Sequence, residues 1–539
     1  MKPRAIPSLL LASALALSAC GGGGGSGGAA TGTGSASDAG EPQTGGELVV
    51  LEDAAFAGSW PTGLDPATNA TGGANIAMQQ AIYGGLFLLR TDEDGSNARI
   101  EPHQAESGEI SDDGLTLTVT LREGIQFSDG TPLDADAVKF NWERALASAC
   151  TCKPVWQLAP EGIQVVDPLT VSVSFTQPNA AVLASFPVSN VNWMISPTAV
   201  EEQGQDAMAL TPVGAGPFTV VENQLSSTLV LERNEDYFRE GLPYLDRLTF
   251  QSIGGDQPAY QALLAGQAQA YEGLTTTPLL EQAQSNDQLQ VTVQPATSPY
   301  VIQLNTKTAP FDDVRAREAI YAATDFEAIA EGLFGGQYPV SQGFTAPGGK
   351  FYEPEVEGYP EYDPDRAREL VQELGGLQVT LGTLGAYVAT QVNTALQTQW
   401  QEVGIDVTIE DYSLNTLVQE FTGGTWQAML QTAGAWDPAA GVGVSFRFAS
   451  TSPFSGIADP QMDQLLTDAA ASLDEDERAD LYRQAAEYIA ENHYAPFGLA
   501  FAPANLAVQG VHGPGLTTEV PPLAVNPGVV WDEVWREQS

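Results

Sequence analysis

Residues 377–410 read LQVTLGTLGAYVATQVNTALQTQWQEVGIDVTIE, and their periodicity changes twice. From Leu377 to Leu381 apolar residues alternate with polar ones, the period of a half-buried strand. From Tyr387 the apolar positions are Val388, Val392, Leu396, Trp400 and Val403, the spacing of one helix face, and Gly404 ends the run. Ile405, Val407 and Ile409 then return to alternation. Strand, helix and strand in immediate succession make a βαβ unit, which requires parallel pairing and a right-handed crossover. The chain is therefore of the α/β class.

The same reading extends outward. Asp363-Pro364 is an N-cap followed by proline at the first helical position, opening a helix through Leu374. Leu465 and Leu466, then Leu481, Ala485, Tyr488 and Ile489, mark two further helices. Toward the N-terminus, GELVVLEDAA (46–55) is a short strand. Leu115, Leu117, Val119 and Leu121 alternate with threonines in another. Turns at Glu123-Gly124 and Ser128-Asp129-Gly130 follow, and Asp134 caps a helix with Val138, Trp142, Ala145 and Leu146 on one stripe. Val171, Val173 and Phe175 form one more strand. A chain of 539 residues exceeds a single simple core, so more than one lobe is expected.

The first residues carry an address. Lys2 and Arg4 precede a nearly continuous apolar stretch from Ile6 to Ala19, too short to span a bilayer and built as an export signal. Leu17-Ser18-Ala19-Cys20 resembles the lipobox of bacterial lipoproteins, which implies a lipid on Cys20 after cleavage. Residues 21–46 are Gly/Ser-rich, a flexible tether. Gly24-Gly25-Ser26-Gly27-Gly28 matches the nucleophile-elbow pattern, but a glycine tract supplies neither the strand nor the helix that the motif needs.

The 68 acidic residues against 21 Lys and Arg give a net charge of -47, which repels phosphate backbones and excludes nucleic-acid binding. The remaining cysteines, Cys150 and Cys152, form a C-x-C pair suited to a loop disulfide outside the cytoplasm. His103, His493 and His512 are scattered and complete no zinc set, so neither metal nor cofactor is expected.

Four ordered blocks resemble one family. They are ISDDGLTLTVTLREGIQFSDGTPLDADAVKFNWERAL (110–146), PVGAGPFTVVENQLSSTLVLERNEDYF (212–238), YVIQLNTKTAPFDDVRAREAIYAATDFEAIAEGLFGG (300–336) and FSGIADPQMDQLLTDAAASLDEDERADLYRQAAEYIAE (454–491). Together they resemble the extracytoplasmic solute-binding proteins of ABC importers, family 5, the peptide/nickel type. The resemblance implies a two-lobed periplasmic-binding-protein clamp of type II, in its three-domain variety. Residues 47–82, 207–298 and 503–539 would form one lobe, 83–206 an inserted domain, and 299–502 the second lobe. It further implies a monomeric, non-enzymatic binding subunit that closes on a peptide or other small solute. Its partners would be the permease and ATPase, and a lipid anchor would hold it at the outer face of the cytoplasmic membrane, or on the periplasmic side where an outer membrane is present. A ligand-sensing receptor on the same fold is the alternative. A tethered hydrolase is disfavoured, because the paired acids Asp112-Asp113 and Asp474-Glu475 sit in turns or at a helix start.

Such a cleft is lined by aromatic and polar groups from both lobes. The candidates are Trp60, Asn192, Trp193, Tyr300, Trp436, Asp437 and Phe454, all in or beside loops, with Arg447 either a bidentate partner for a ligand carboxylate or, the favoured reading, a member of a surface or interlobe salt bridge. Trp142 and Trp400, on helix stripes, are core residues. Peptide-binding members often place an aspartate for the α-ammonium in the loop that here reads TAGAWDP. In one register that position is Gly434, which carries no charge and argues for a non-peptide solute. In the other it is Asp437. Both registers remain open in the sequence.

Overall fold

The βαβ unit at 377–410 folds as its periodicity demands. The strand Leu377–Leu384 and the strand Ile405–Tyr412 pair in parallel, Leu377 opposite Ile405 and Leu381 opposite Ile409, with the helix Tyr387–Glu402 as crossover. Val388, Val392, Leu396, Trp400 and Val403 are all buried on the sheet, and the Trp400 indole N–H donates to Thr324 Oγ1 at 3.0 Å. The computed structural model describes residues 40–538, apart from 56, 70–73, 93–94, 149–151, 154, 385–386, 441–442 and 523–527. The expected signal segment, lipidated Cys20, most of the tether and Cys150 lie outside the described residues. No described helix is long and apolar enough to cross a membrane.

Three larger sheets organise residues 47–508. The first has seven strands in the order Leu289–Val293, Ala504–Val508, Ala270–Leu274, Glu47–Asp53, Arg247–Ile253, Thr228–Arg233 and Phe218–Gln224. It draws on three separated stretches of chain and forms the first lobe. A four-stranded antiparallel sheet, Ala105–Ile110, Thr116–Leu121, Thr170–Phe175 and Leu158–Asp167, stands between two of those stretches. Leu117, Val119 and Leu121 point inward as the alternation requires, and Leu115 lies one residue before the strand. They meet the helix Ala135–Ala147, whose N-cap Asp134 accepts from Ala137 N at 2.9 Å. Cys152 is buried here and disulfide-bonded.

The second lobe is built on five strands in the order Ile405–Tyr412, Leu377–Leu384, Ala428–Thr432, Pro299–Leu304 and Phe497–Ala500. Asp363 caps the helix Pro364–Glu373 through Arg366 N at 3.0 Å, as its Asp-Pro start predicts.

The chain crosses between the lobes twice, from Val293 to Pro299 and from Ala500 to Ala504. The two crossings run side by side, because Val293 pairs with Ala504 at one end and Pro299 with Ala500 at the other. Two adjacent extended connections form a hinge. Away from the hinge the lobes also touch. Ala180 N donates to Ala470 O at 2.8 Å, while at the hinge itself Tyr338 Oη donates to Thr275 O at 2.9 Å. The clamp is closed.

Candidate functional site

The strand Ala428–Thr432 ends beside Tyr300 of the neighbouring strand, and the loop that follows turns toward the first lobe. Ala433 N donates to Pro299 O at 2.7 Å and Gly434 N to Ser298 Oγ at 2.8 Å, so the loop starts pinned to the hinge. Ala435, Trp436 and Ala440 then join the buried cluster that holds Leu48, Val50, Trp60, Trp193 and Ala270 of the first lobe. Trp436 is thus a wedge between the lobes. Its carbonyl accepts from Lys350 N at 2.8 Å, and Lys350 Nζ stands 5.9 Å from its ring.

Asp437 is buried and fully engaged. Its Oδ1 accepts from Ala439 N at 2.8 Å and lies 3.4 Å from Arg478 Nη2, and its Oδ2 is 3.9 Å from Lys350 Nζ. Both cations are its own neighbours within the second lobe, so they neutralise it there. Gly434 has no carboxylate to offer. A Cβ added to it would come no nearer than 3.5 Å to Gly443 Cα, so its lack of a side chain is not imposed by packing. Neither register of the loop presents an unengaged acid.

Arg447 is the opposite case. It lies on the short helix Val444–Phe448 with its guanidinium 5.2 Å over the Phe446 ring. Phe446 stacks on Phe454 at 4.3 Å, and Phe454 leans on Phe421 at 5.5 Å, a continuous aromatic platform. Gln303 Nε2 fixes the backbone beneath, donating to Arg447 O at 2.8 Å and to Phe454 O at 3.2 Å. Arg447 Nε has no hydrogen-bond partner, and no acidic side chain among the described residues lies within ion-pair distance. The residue keeps partial solvent contact, yet it stands so deep that dehydration draws its pKa down to about 10. Tyr300 has the same character: partly exposed in area, with burial pushing its phenol up.

The other candidates are occupied. Trp60 is fully buried, with its indole N–H on Asn223 Oδ1 at 2.8 Å and its backbone N–H on Ser226 Oγ at 3.0 Å. Asn192 spends both ends of its amide on one residue, accepting from Phe87 N at 3.0 Å and donating to Phe87 O at 2.9 Å. Trp193 packs in the first lobe, so close to Gly85 that a Cβ there would meet its ring at 2.9 Å. The structure therefore brings Tyr300, Trp436, Arg447 and Phe454 to the strand ends and loops of the second lobe. Trp60, Asn192 and Trp193 fall within the packing of the first.

Sequence reading missed the first lobe's own polar contribution. Glu52 and Glu272 are both almost fully buried at neighbouring strand ends. Burial pushes the Glu272 carboxyl up to about 8. The signal existed for Glu52, which follows Leu48 and Val50 on the inward side of the alternation.

A hinged, two-lobed α/β clamp with its polar groups gathered where the lobes meet is the architecture of a solute-binding protein. The model of bacterial extracellular solute-binding proteins, family 5, matches residues 99–453, and the chain belongs to that family. It is 30% identical over 455 residues to the glutathione-binding protein GsiB of Shigella flexneri serotype 5b, covering 80% of this chain and 85% of that protein. The dipeptide-binding protein of Pseudoalteromonas sp. SM9913, solved with Met-Leu, superposes with a TM-score of 0.78 at 20% identity, over 91% of this chain and all of that one. The periplasmic binding protein DppA from Helicobacter pylori, solved with the peptide STSA, gives a TM-score of 0.75 at 22% identity over 92% of this chain and 99% of that one. Both share the fold.

Proposed function

We propose that this chain is the binding subunit of an ABC importer, held outside the cytoplasmic membrane by a lipid on Cys20, and that it captures a small carboxylate-bearing solute between its lobes for delivery to the permease. Family membership supports the transport role. The names of its relatives support the ligand class, since glutathione, Met-Leu and STSA all carry free carboxylates. The observation that carries the reading is Arg447, a deeply placed guanidinium on an aromatic platform, with no acid within ion-pair distance among the described residues. A buried cation without a counter-ion is costly, and a carboxylate arriving in the cleft completes a bidentate pair. The platform suits the apolar part of the same ligand.

The test is calorimetric unfolding of the full chain with glutathione and Met-Leu, each as the free acid and as its carboxyl methyl ester. A ligand at 100 times its Kd stabilises the fold by about 2.7 kcal/mol. The free acids are expected to raise the melting temperature and the esters to fail. Esters that stabilise as well as the acids would overturn the role of Arg447.

A further inference from the structure

The strand Glu47–Asp53 pairs in parallel with Ala270–Leu274, Val50 opposite Ala270 and Leu51 opposite Tyr271. The pairing ends there, and Glu52 and Glu272 are the next residue of each strand. Strand alternation puts them on the face of Leu48, Val50 and Ala270, which is the face that receives Trp436 from the second lobe. Asp53 and Tyr271 occupy the other face, where Tyr271 Oη donates to Asp256 at 2.6 Å and burial, helped by the Asp256 charge, raises the Asp53 carboxyl. Both glutamates sit at the sheet edge through which the chain crosses the hinge. Leu274 pairs with Ala504, the first residue after the return crossing, and Thr275 accepts from Tyr338 of the second lobe.

A carboxyl as deeply buried as that of Glu272 stays neutral or needs a cation. Neither carboxylate oxygen of Glu272 meets a hydrogen-bond partner among the described residues, and no described Lys, Arg or His lies within ion-pair distance of it. The second lobe keeps its cations elsewhere, with Lys350 and Arg478 spent on Asp437. Its own recognition loop has no unengaged acid for a ligand amine. Among the described residues the first lobe therefore holds an unpartnered buried carboxyl at Glu272, and the second an uncompensated cation at Arg447.

We propose that Glu272, with Glu52 beside it, receives an ammonium or guanidinium group of the ligand, so that the clamp selects a zwitterion whose cationic end binds the first lobe and whose carboxylate binds the second. This rests on the proposed function for the carboxylate end alone.

The experiment is titration calorimetry on the full chain with glutathione and Met-Leu, each with a free and an N-acetylated amine, and with agmatine as a cation lacking a carboxylate. Wild type, Glu272→Gln, Glu52→Gln and Arg447→Met are compared after thermal unfolding shows that each is folded. Losing a charge-assisted contact is expected to weaken binding about 10- to 100-fold. The free amines should bind wild type more tightly than their N-acetyl forms by that factor. Glu272→Gln should erase the preference, while Arg447→Met weakens both forms. A free amine that binds Glu272→Gln as it binds wild type overturns the inference and leaves the importer reading standing. If the peptides fail but agmatine binds wild type and not Glu272→Gln, the first-lobe site stands and the carboxylate reading falls. If no probe binds, both fall.

Discussion

Replacing Asp437 with alanine separates a ligand contact from an internal brace. The carboxylate has three local partners: Ala439 N at 2.8 Å, Arg478 Nη2 at 3.4 Å and Lys350 Nζ at 3.9 Å. Lys350 retains Glu475 when Asp437 is lost, but Arg478 keeps no acid within ion-pair distance among the described residues, only the more distant charge of Glu475. Its side chain is only 5% exposed, packed with its guanidinium 5.0 Å from the Phe351 ring. Stranding a buried charge costs about 3–5 kcal/mol. With the second lobe as the cooperative unit, at about 2–4 °C per kcal/mol, the melting transition should fall by roughly 10 °C. Asp437→Ala/Arg478→Met should recover much of that loss, because the stranded cation is then gone. Ligand affinity, measured by calorimetry below the transition, should change less than about threefold, since the carboxylate serves its own lobe. The reasoning is refuted if Asp437→Ala melts within a degree or two of wild type yet no longer binds free-amine peptides. Asp437 would then be the ammonium partner.

Three further outcomes are expected. Arg447→Met should raise the melting temperature of the unliganded chain by relieving an uncompensated buried charge, and weaken free-acid ligands at least tenfold; Arg447→Lys should not restore the loss, because a point charge lacks the bidentate fork. Gly434→Asp should fold normally, given the 3.5 Å clearance at its Cβ, and leave Met-Leu affinity within about threefold, because the ligand's amine is met by Glu272 of the first lobe; a gain of about tenfold would place the amine at this loop instead. Glu272 predicts a pH dependence. Its folded-state pKa is raised to about 8 from 4.5, so the folded chain holds the extra proton, and stability should fall as pH rises from about 5 to about 8. Burial is the cause, and Glu52 is the acid next to it on the adjacent strand. Urea titrations at pH 5 and pH 8 should differ by up to several kcal/mol in wild type and by less in Glu272→Gln.

What could be read from the sequence was whatever depended on neighbours a few residues away. The βαβ unit, the caps at Asp134 and Asp363 and the inward set Leu117, Val119 and Leu121 follow from local period and local hydrogen bonds, and each formed where expected. The loop tryptophans resisted. Trp60 looks available among Gly and Pro, but its indole is claimed by Asn223 and its backbone by Ser226, over 160 positions away. Asn192 is likewise consumed by Phe87, 105 positions earlier. Asp437 could not be assigned because Arg478 and Lys350 reach it from separate elements. Glu52 shows the boundary clearly. Its inward direction follows from the alternation around it, whereas its place next to Glu272 depends on a parallel strand some 220 residues away.

The placement of the unmet charges bears on more than selectivity. A closed clamp is favoured by its own contacts, among them Ala180 with Ala470 and the Trp436 wedge. If nothing opposed them, the empty protein would close and engage the permease unloaded. Opening exposes Glu272 and Arg447 to water, and closure strips that water away, so the dehydration cost falls on the closed state alone. A zwitterion supplies a counter-charge to each lobe and removes the cost at both ends. A solute with one charge relieves only one. The free energy that a ligand can contribute to closure is limited to its differential affinity for the two states, and here that differential is concentrated in two dehydrated groups on opposite lobes, the Glu272 carboxyl, which a ligand cation ionises, and the Arg447 guanidinium. On this argument the double variant Glu272→Gln/Arg447→Met closes without ligand, and small-angle scattering of the unliganded protein should report a smaller radius of gyration than wild type. Equal radii would mean that closure is governed by the interlobe contacts and not by the charges.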